Sequence, residues 1–166
     1  VGRGVDLFSR YRPAAIVGRT APHGKTTPPA RAGAVLSRGR RPVIVGGNIG
    51  ETVRDRLREV TPEHWVVLEL SSFQLESIER PKPAIGVILN LRPDHLDRHG
   101  TFENYVAAKA RLIRFMDRDG KAILNGEDPA CRALAAQTSG TVTWFDQEPD
   151  LAIAVPGRHN LMNAKA

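Results

Sequence analysis

Short, continuously apolar runs alternate along the chain with segments in which apolar residues recur every three or four positions. The first pattern predicts strands that are covered on both faces, and the second predicts amphipathic helices. Six strands are predicted, over residues 14–18, 42–46, 65–70, 84–90, 121–125 and 141–145. Four helices are predicted between them, over residues 29–37, 51–59, 101–116 and 128–137. This alternation is typical of an α/β fold with a doubly wound, mainly parallel sheet.

Length and composition narrow the possible classes of protein. A chain of 166 residues fits one domain, and the longest apolar runs fall well short of the roughly 20 residues of a membrane helix. The single cysteine, Cys131, excludes an intrachain disulfide and favours the cytoplasm. The net charge of +6 comes from scattered basic residues, and aromatic residues make up only 5% of the chain. We therefore expect neither a nucleic-acid partner nor a membrane partner.

Gly24, Lys25, Thr26 and Thr27 follow the first predicted strand and precede a helix. A phosphate loop has this context, with main-chain N–H groups holding the phosphates, the lysine reaching the β- and γ-oxygens and the threonine ligating magnesium. Gly18 lies one residue too far upstream for the common G-x-x-x-x-G-K-T spacing. The alternative is an incidental Gly-Lys-Thr in a loop.

A glutamate, Glu69, lies inside the apolar strand over residues 65–70. Burying a carboxylate costs free energy unless a cation or a hydrogen-bond donor compensates its charge, and Mg²⁺ is one such cation. A solvated edge position and a salt bridge to an arginine are the alternatives. Ser71, Ser72 and Gln74 follow directly and could serve phosphate or substrate oxygens, a role compatible with helix capping by one of the serines.

An imidazole follows the next strand. His95 is a candidate metal ligand that Asp94 or Asp97 could orient, and the alternative is an ordinary polar loop residue. Since the carboxyl ends of parallel strands meet at one edge of a sheet, we expect His95 to lie near Glu69.

Lys109 falls near the middle of an apolar helix face. Phe102, Tyr105, Val106, Leu112, Ile113 and Met116 recur at helical spacing around it. A free ammonium group there would be strongly disfavoured. Three outcomes remain open: snorkelling to the rim, an ion pair with Glu69 or Asp94, and carbamylation by CO₂ to an anionic oxygen ligand.

Four motifs carry a family resemblance: ELSSFQLES, LNLRPDHLDRHG with YVAAKAR, VGGNIG, and PGRHNLMNA. Together they resemble motifs of the Mur ligases, which build the peptidoglycan precursor. The motifs are similar to those of the branch that adds D-glutamate to UDP-N-acetylmuramoyl-L-alanine. The resemblance implies that residues 14–166 form the central ATP-binding domain, incomplete at its C-terminal end. Residues 1–13 would then be a linker from an N-terminal domain.

The resemblance also assigns roles to individual residues. Those implied to bind ATP are Gly24, Lys25, Thr26, Thr27, Asn160 and Asn163. Those implied to bind one or two Mg²⁺ ions are Thr26, Glu69, His95 and a carbamylated Lys109. Those implied to meet the muramoyl substrate are Asn48, Ser71 and Gln74. Lys25, His95 and Lys109 are the implied catalytic residues.

The resemblance further implies a reaction. In the family, ATP phosphorylates a carboxylate of the nucleotide-linked substrate, the amine of D-glutamate attacks the acyl phosphate, and phosphate leaves. We expect a cytoplasmic monomer whose fragment is inactive alone, because closure of three domains assembles such a site. A catalytically degenerate nucleotide-binding module is the first alternative. Another ligase of the superfamily, such as a folate-type polyglutamate ligase, is the second, although SSFQLE with GGNIG argues against it.

The phosphate loop departs from the family sequence Thr-Gly-Thr-Asn-Gly-Lys-Thr at three positions. Ala21 replaces a glycine that adopts positive φ freely, Pro22 removes an N–H donor, and His23 replaces an asparagine. We therefore expect weakened ATP affinity. Titrating Mg-ATP into this chain and into a variant with Gly, Thr and Asn at positions 21 to 23 tests this. Equal, tight binding by both proteins would contradict it.

Overall fold

The computed structural model describes residues 14–21, 28–47, 56 and 58–145. Within these residues six strands form: Ala15–Thr20 (β1), Val43–Gly47 (β2), Trp65–Glu69 (β3), Ile85–Ile88 (β4), Lys121–Leu124 (β5) and Thr141–Trp144 (β6). The helices are Pro28–Leu36 (α1), Ser72–Ser77 (α2), Leu96–His99 (α3), Phe102–Arg114 (α4) and Pro129–Leu134 (α5). A 3₁₀ turn, Ala135–Gln137, continues α5.

The strands form one parallel sheet in the order β2-β3-β1-β4-β5-β6. Helix α1 packs against β2 and β3, and α4 packs against β1 and β4. The two helices lie on opposite faces of the sheet. In the sheet, Val45 on β2 is level with Val67 on β3 and Val17 on β1, and α1 contacts Val45. Helix α4 contacts Gly18, which follows Val17 and therefore faces the other side of the sheet. The predicted doubly wound α/β fold is therefore confirmed.

Two glycines allow α4 to lie close to the sheet. Gly18 and Gly86 are neighbours on β1 and β4. A Cβ at Gly18 would lie 2.6 Å from Leu112 Cδ1, and one at Gly86 would lie 2.9 Å from Ile113 Cγ2. Both α4 side chains are fully buried. This close packing brings Lys109, one turn before Leu112, over the carboxyl end of β1.

The main hydrophobic core lies on the α4 face of the sheet and includes side chains from β1, β3, β4, β5, α2, α4 and α5. A smaller cluster on the other face contains Val87, Leu89 and Phe145. None of the helices in the described ranges combines the length and hydrophobicity that crossing a membrane requires.

The predicted strands all form, with ends that differ by at most two residues. The prediction of a helix over residues 51–59 is wrong at its end, where residues 58 and 59 form a turn, and residues 51–55 and 57 lie outside the described part. Helices α2 and α3 were not predicted. With six and four residues, they are too short for a periodic apolar pattern.

Candidate active site

A cavity of about 200 Å³ lies at the carboxyl ends of β1 and β3. It is lined by Ala21, Glu69, Leu70, Ser71, Ser72, Phe73, Asp94, His95, Tyr105 and Lys109. This edge of a parallel sheet is where ligand crevices form in α/β proteins. Glu69, His95 and Lys109, which come from three separate motifs, therefore share one cavity.

The ammonium group of Lys109 is held inside the protein, where the residue is only 2% exposed. Its Nζ donates a hydrogen bond to Thr20 Oγ1 at 2.9 Å and lies 5.1 Å from the centre of the Tyr105 ring. Burial lowers the pKa of Lys109 from 10.5 to about 8, although the carboxylates of Asp94 and Glu69 oppose that shift. Snorkelling to the rim is thus excluded. The hydrogen-bond partner in the described part of the chain is a hydroxyl group, not a carboxylate.

Glu69 ends β3 with its carboxylate beside the guanidinium of Arg19. The two residues align in register on neighbouring strands, and Arg19 Nη1 lies 3.9 Å from Glu69 Oε1. Both side chains are buried, which excludes a solvated edge position for Glu69. The salt bridge to an arginine, one of the alternatives for Glu69, is therefore present, and the glutamate also lines the cavity.

His95 adopts a left-handed backbone conformation, with φ 52° and ψ 36°, directly before α3. This conformation costs a non-glycine residue roughly 1 kcal/mol. Its Nε2 lies 3.6 Å from Asp94 Oδ2, and its ring centre lies 5.2 Å from that of Phe73. Asp94, one of the two carboxylates expected to orient His95, is thus beside it. With a side chain that is 43% exposed, His95 remains open to a ligand.

Ser71 and Gln74 hold each other in a capping box at the start of α2. Ser71 Oγ accepts a hydrogen bond from the Gln74 N–H at 3.2 Å, and Gln74 Oε1 accepts one from the Ser71 N–H at 2.9 Å. The expected capping role of a serine is therefore confirmed at Ser71, which also lines the cavity. Gln74 is buried beside it.

A polar network that was not predicted ties α2 to α3. His99 Nε2 lies 3.0 Å from Ser72 Oγ, and His99 Nδ1 lies 3.3 Å from Glu76 Oε1. The His99 ring stacks on Phe73 with ring centres 5.1 Å apart. Through these contacts His99 holds Ser72 and Phe73, two residues that line the cavity. Its members are spread over two helices that are too short to predict, so the sequence offered no periodic signal for it.

The structure brings together only part of the predicted site. Glu69, His95, Lys109 and Ser71 line one cavity, and Gln74 lies next to it. The remaining predicted residues lie outside the described part: Gly24, Lys25, Thr26, Thr27, Asn48, Asn160 and Asn163. Within the described ranges, no three His, Cys, Asp or Glu side chains are grouped closely enough to hold a metal ion.

Sequence reasoning missed the direct partners of two predicted residues. Thr20 accepts the hydrogen bond of Lys109, and Arg19 pairs with Glu69. A signal for Arg19 was present, since it is a charged residue at the end of an apolar strand run, as Glu69 is. Thr20 gave no such signal, because a threonine is common at the end of a strand.

Comparisons with known proteins identify the family to which this chain belongs. Residues 22–150 match the model of the Mur ligase middle domain. The chain therefore belongs to the Mur ligase middle-domain family. Among its relatives, the UDP-N-acetylmuramoylalanine–D-glutamate ligase of Acidobacterium capsulatum is 46% identical over 143 residues, which are 86% of this chain and 31% of that protein. The chain spans 31% to 42% of the length of this and two further relatives with the same name.

Solved structures share the fold at lower identity. MurF from Acinetobacter baumannii has a TM-score of 0.74 at 20% identity, over 99% of this chain and 44% of that one. MurF ligase from Thermotoga maritima, solved in complex with ADP, has a TM-score of 0.64 at 23% identity, over 84% of this chain and 34% of that one. These likenesses extend to the fold and are consistent with the family assignment.

Proposed function

We propose that this chain is the nucleotide-binding part of a ligase that joins D-glutamate to UDP-N-acetylmuramoyl-L-alanine with hydrolysis of ATP. The names of its relatives support the substrates. The observation that carries the proposal is the shared cavity, in which the buried Lys109 lies with Glu69 and His95 at the carboxyl edge of the sheet. We further propose that the whole protein works in the cytoplasm as a monomer.

Lys109 is proposed to carry a carbamate. Only a neutral amine attacks the carbon of CO₂, forming the C–N bond and releasing a proton. With its pKa lowered to about 8, roughly a tenth of Lys109 is neutral at pH 7, against about one part in three thousand at the ordinary pKa of 10.5. Burial therefore prepares this lysine for the reaction, and the Thr20 hydroxyl holds its nitrogen in place.

Glu69 and His95 are proposed to hold one or two Mg²⁺ ions together with Thr26 and a carbamylated Lys109. Mg²⁺ is usually held by one or two carboxylates, with substrate phosphates and water completing its shell. The oxygen of Glu69 at the cavity wall fits that pattern without a cluster of three protein ligands. When bound, Mg²⁺ would reduce the repulsion between the triphosphate and the substrate carboxylate.

The remaining roles rest on the family motifs. Lys25 is proposed to neutralise the β- and γ-phosphates, with Gly24, Thr26 and Thr27 donating to them. Asn160 and Asn163 are proposed to lie near the adenine. Asn48, Ser71 and Gln74 are proposed to position the muramoyl substrate, whose carboxylate would take the phosphoryl group before the amine of D-glutamate attacks.

A domain exchange tests the proposed function. In the Acidobacterium capsulatum relative, the matching segment is replaced by this chain, and phosphate release is measured with ATP, UDP-N-acetylmuramoyl-L-alanine and D-glutamate. We expect release only when all three are present, as in the parent enzyme, which serves as the control. A folded chimera that releases phosphate without D-glutamate, or releases none, would contradict the proposal.

The second candidate is a nucleotide-binding module that has lost catalysis. Two features favour it. The phosphate loop contains the sequence Ala21-Pro22-His23, and the carboxylate of Glu69 already forms a salt bridge with Arg19. The same chimera separates the two functions. Binding of Mg-ATP without phosphate release supports the degenerate module, and release that depends on all three substrates excludes it.

A further inference from the structure

Arg19 is a buried cation beside Glu69, which lines the cavity. The residue is 4% exposed, and its three guanidinium nitrogens make no hydrogen bond within the described structure. Burial lowers the pKa of Arg19, and the Glu69 carboxylate opposes that shift. A charged group in this position depends on a nearby anion, since desolvation is otherwise uncompensated.

The sheet register places that anion beside it. Arg19 and Glu69 are paired positions on β1 and β3, so their side chains leave the same face at the same level. On the other side, β4 presents Val87 at this level, which offers no charge. The Glu69 carboxylate thus compensates the charge of the Arg19 guanidinium, with Oε1 at 3.9 Å from Nη1.

We propose that Arg19 competes with divalent cations for Glu69. Without metal, the guanidinium holds the carboxylate. A divalent cation that binds Glu69 must share the carboxylate with Arg19 or displace the guanidinium. In both cases the cation binds close to a positive charge. This inference rests on the proposed role of Glu69 as a metal ligand, and it makes Arg19 a positioning residue that sets metal affinity.

The geometry allows the exchange. A separation of 3.9 Å between Nη1 and Oε1 is longer than the 2.7–2.9 Å of a charge-assisted hydrogen bond, so the pair is not locked by one. Glu69 also lines the cavity, whereas Arg19 is not among the lining residues. An ion entering the cavity can therefore reach the carboxylate without passing the guanidinium.

The test is the affinity of the 166-residue chain for Mn²⁺, measured by electron paramagnetic resonance of the free ion. A neighbouring positive charge lowers the pKa of a carboxylate by about one to three units, which is about a tenfold to thousandfold change in its affinity for a proton. We expect an effect of the same sign on a metal cation, so Arg19→Leu should lower the Kd for Mn²⁺ by at least about tenfold. Arg114→Leu, which removes the same charge from the exposed face of α4, should change it less than about twofold. Arg19→Gln keeps a polar but uncharged and shorter side chain, and it gives the same test if the leucine variant does not fold.

Each outcome bears on the inference. Equal Kd values for the wild type and the folded Arg19 variants would overturn it and leave the metal role of Glu69 intact. If Mn²⁺ binds neither the wild type nor any Arg19 variant, both the inference and the proposed metal role fail. A gain in affinity that persists in Arg19→Leu/Glu69→Gln would also overturn it, because the gain would not pass through Glu69. A gain that the second substitution abolishes would support it.

Discussion

Replacing Lys109 with methionine should stabilise the folded chain at pH 7 by about 3 kcal/mol. The wild type buries an ammonium group whose pKa falls from 10.5 to about 8, and each pKa unit corresponds to about 1.4 kcal/mol. Methionine fills a similar volume without a charge, and the substitution removes the hydrogen bond to Thr20 and the contact of the ammonium group with the Tyr105 ring. The free energy of unfolding is measured by urea denaturation in buffer free of CO₂.

The same substitution has a pH dependence of defined sign. Because the folded pKa of Lys109 is lowered, the unfolded chain binds more protons between pH 8 and 10.5, and the stability of the wild type rises with pH in that window. The advantage of Lys109→Met should therefore shrink from about 3 kcal/mol towards zero across it.

The difference between the two proteins is the quantity to measure. Burial also raises the pKa of Cys131 from 9.0 to about 12, which lowers the stability of both proteins above pH 9, because the unfolded thiol loses its proton first. The pKa of Tyr105 is raised by burial as well. Taking the difference largely removes both contributions. An advantage that stays constant from pH 7 to 10.5 would show that Lys109 is not a desolvated ammonium group.

Replacing Asp128 with alanine should destabilise the domain by about 3 kcal/mol. Its buried carboxylate accepts hydrogen bonds from the N–H groups of Ala130 and Cys131 at the start of α5, at 2.9 and 3.4 Å. The other oxygen accepts the Leu91 N–H at 2.7 Å. Loss of a cap costs about 1 kcal/mol, and a buried, unpaired N–H costs a further 1–3 kcal/mol. Leu91 begins the segment that leads to Asp94 and His95, so the site should loosen as well.

Thr101→Ala is the matched control for this prediction. Thr101 is the exposed cap of α4, and within the described residues its Oγ1 accepts a single hydrogen bond, from the Asn104 N–H at 3.2 Å. Its removal should cost about 1 kcal/mol. Urea denaturation gives both values, and hydrogen exchange of the Leu91 amide reports the local effect. If Asp128→Ala costs no more than Thr101→Ala and Leu91 stays protected, the carboxylate does not tie the loop to α5.

Much of the fold could be predicted from local patterns. Apolar runs marked the six strands of the described ranges, and the helices predicted over residues 101–116 and 128–137 begin within one residue of α4 and α5. The helical spacing placed Lys109 on the apolar face of its helix but left snorkelling to the rim open, and the structure shows that the residue is buried. These features depend on residues that are close in sequence, so one chain is enough to reveal them.

The partners in the site could not be predicted in the same way. Lys109 meets Thr20 across 89 positions of sequence, and this contact depends on how closely α4 approaches β1 over Gly18 and Gly86. An arginine partner was one of several alternatives for Glu69, and the register of β1 against β3 selected Arg19. His95 owes its position to a left-handed turn that no apolar pattern encodes.

The sequence by itself determined the alternation of strands and longer helices along the chain, the edge of the sheet where polar residues collect, and the place of Lys109 on the apolar face of α4. Only the tertiary structure decided that Lys109 binds a hydroxyl group and that Glu69 shares its carboxylate with Arg19. The physical reason is that periodicity reports which face of an element is buried. The partner of a buried charge is set by strand order, register and the distance between layers, which arise only when the whole chain packs.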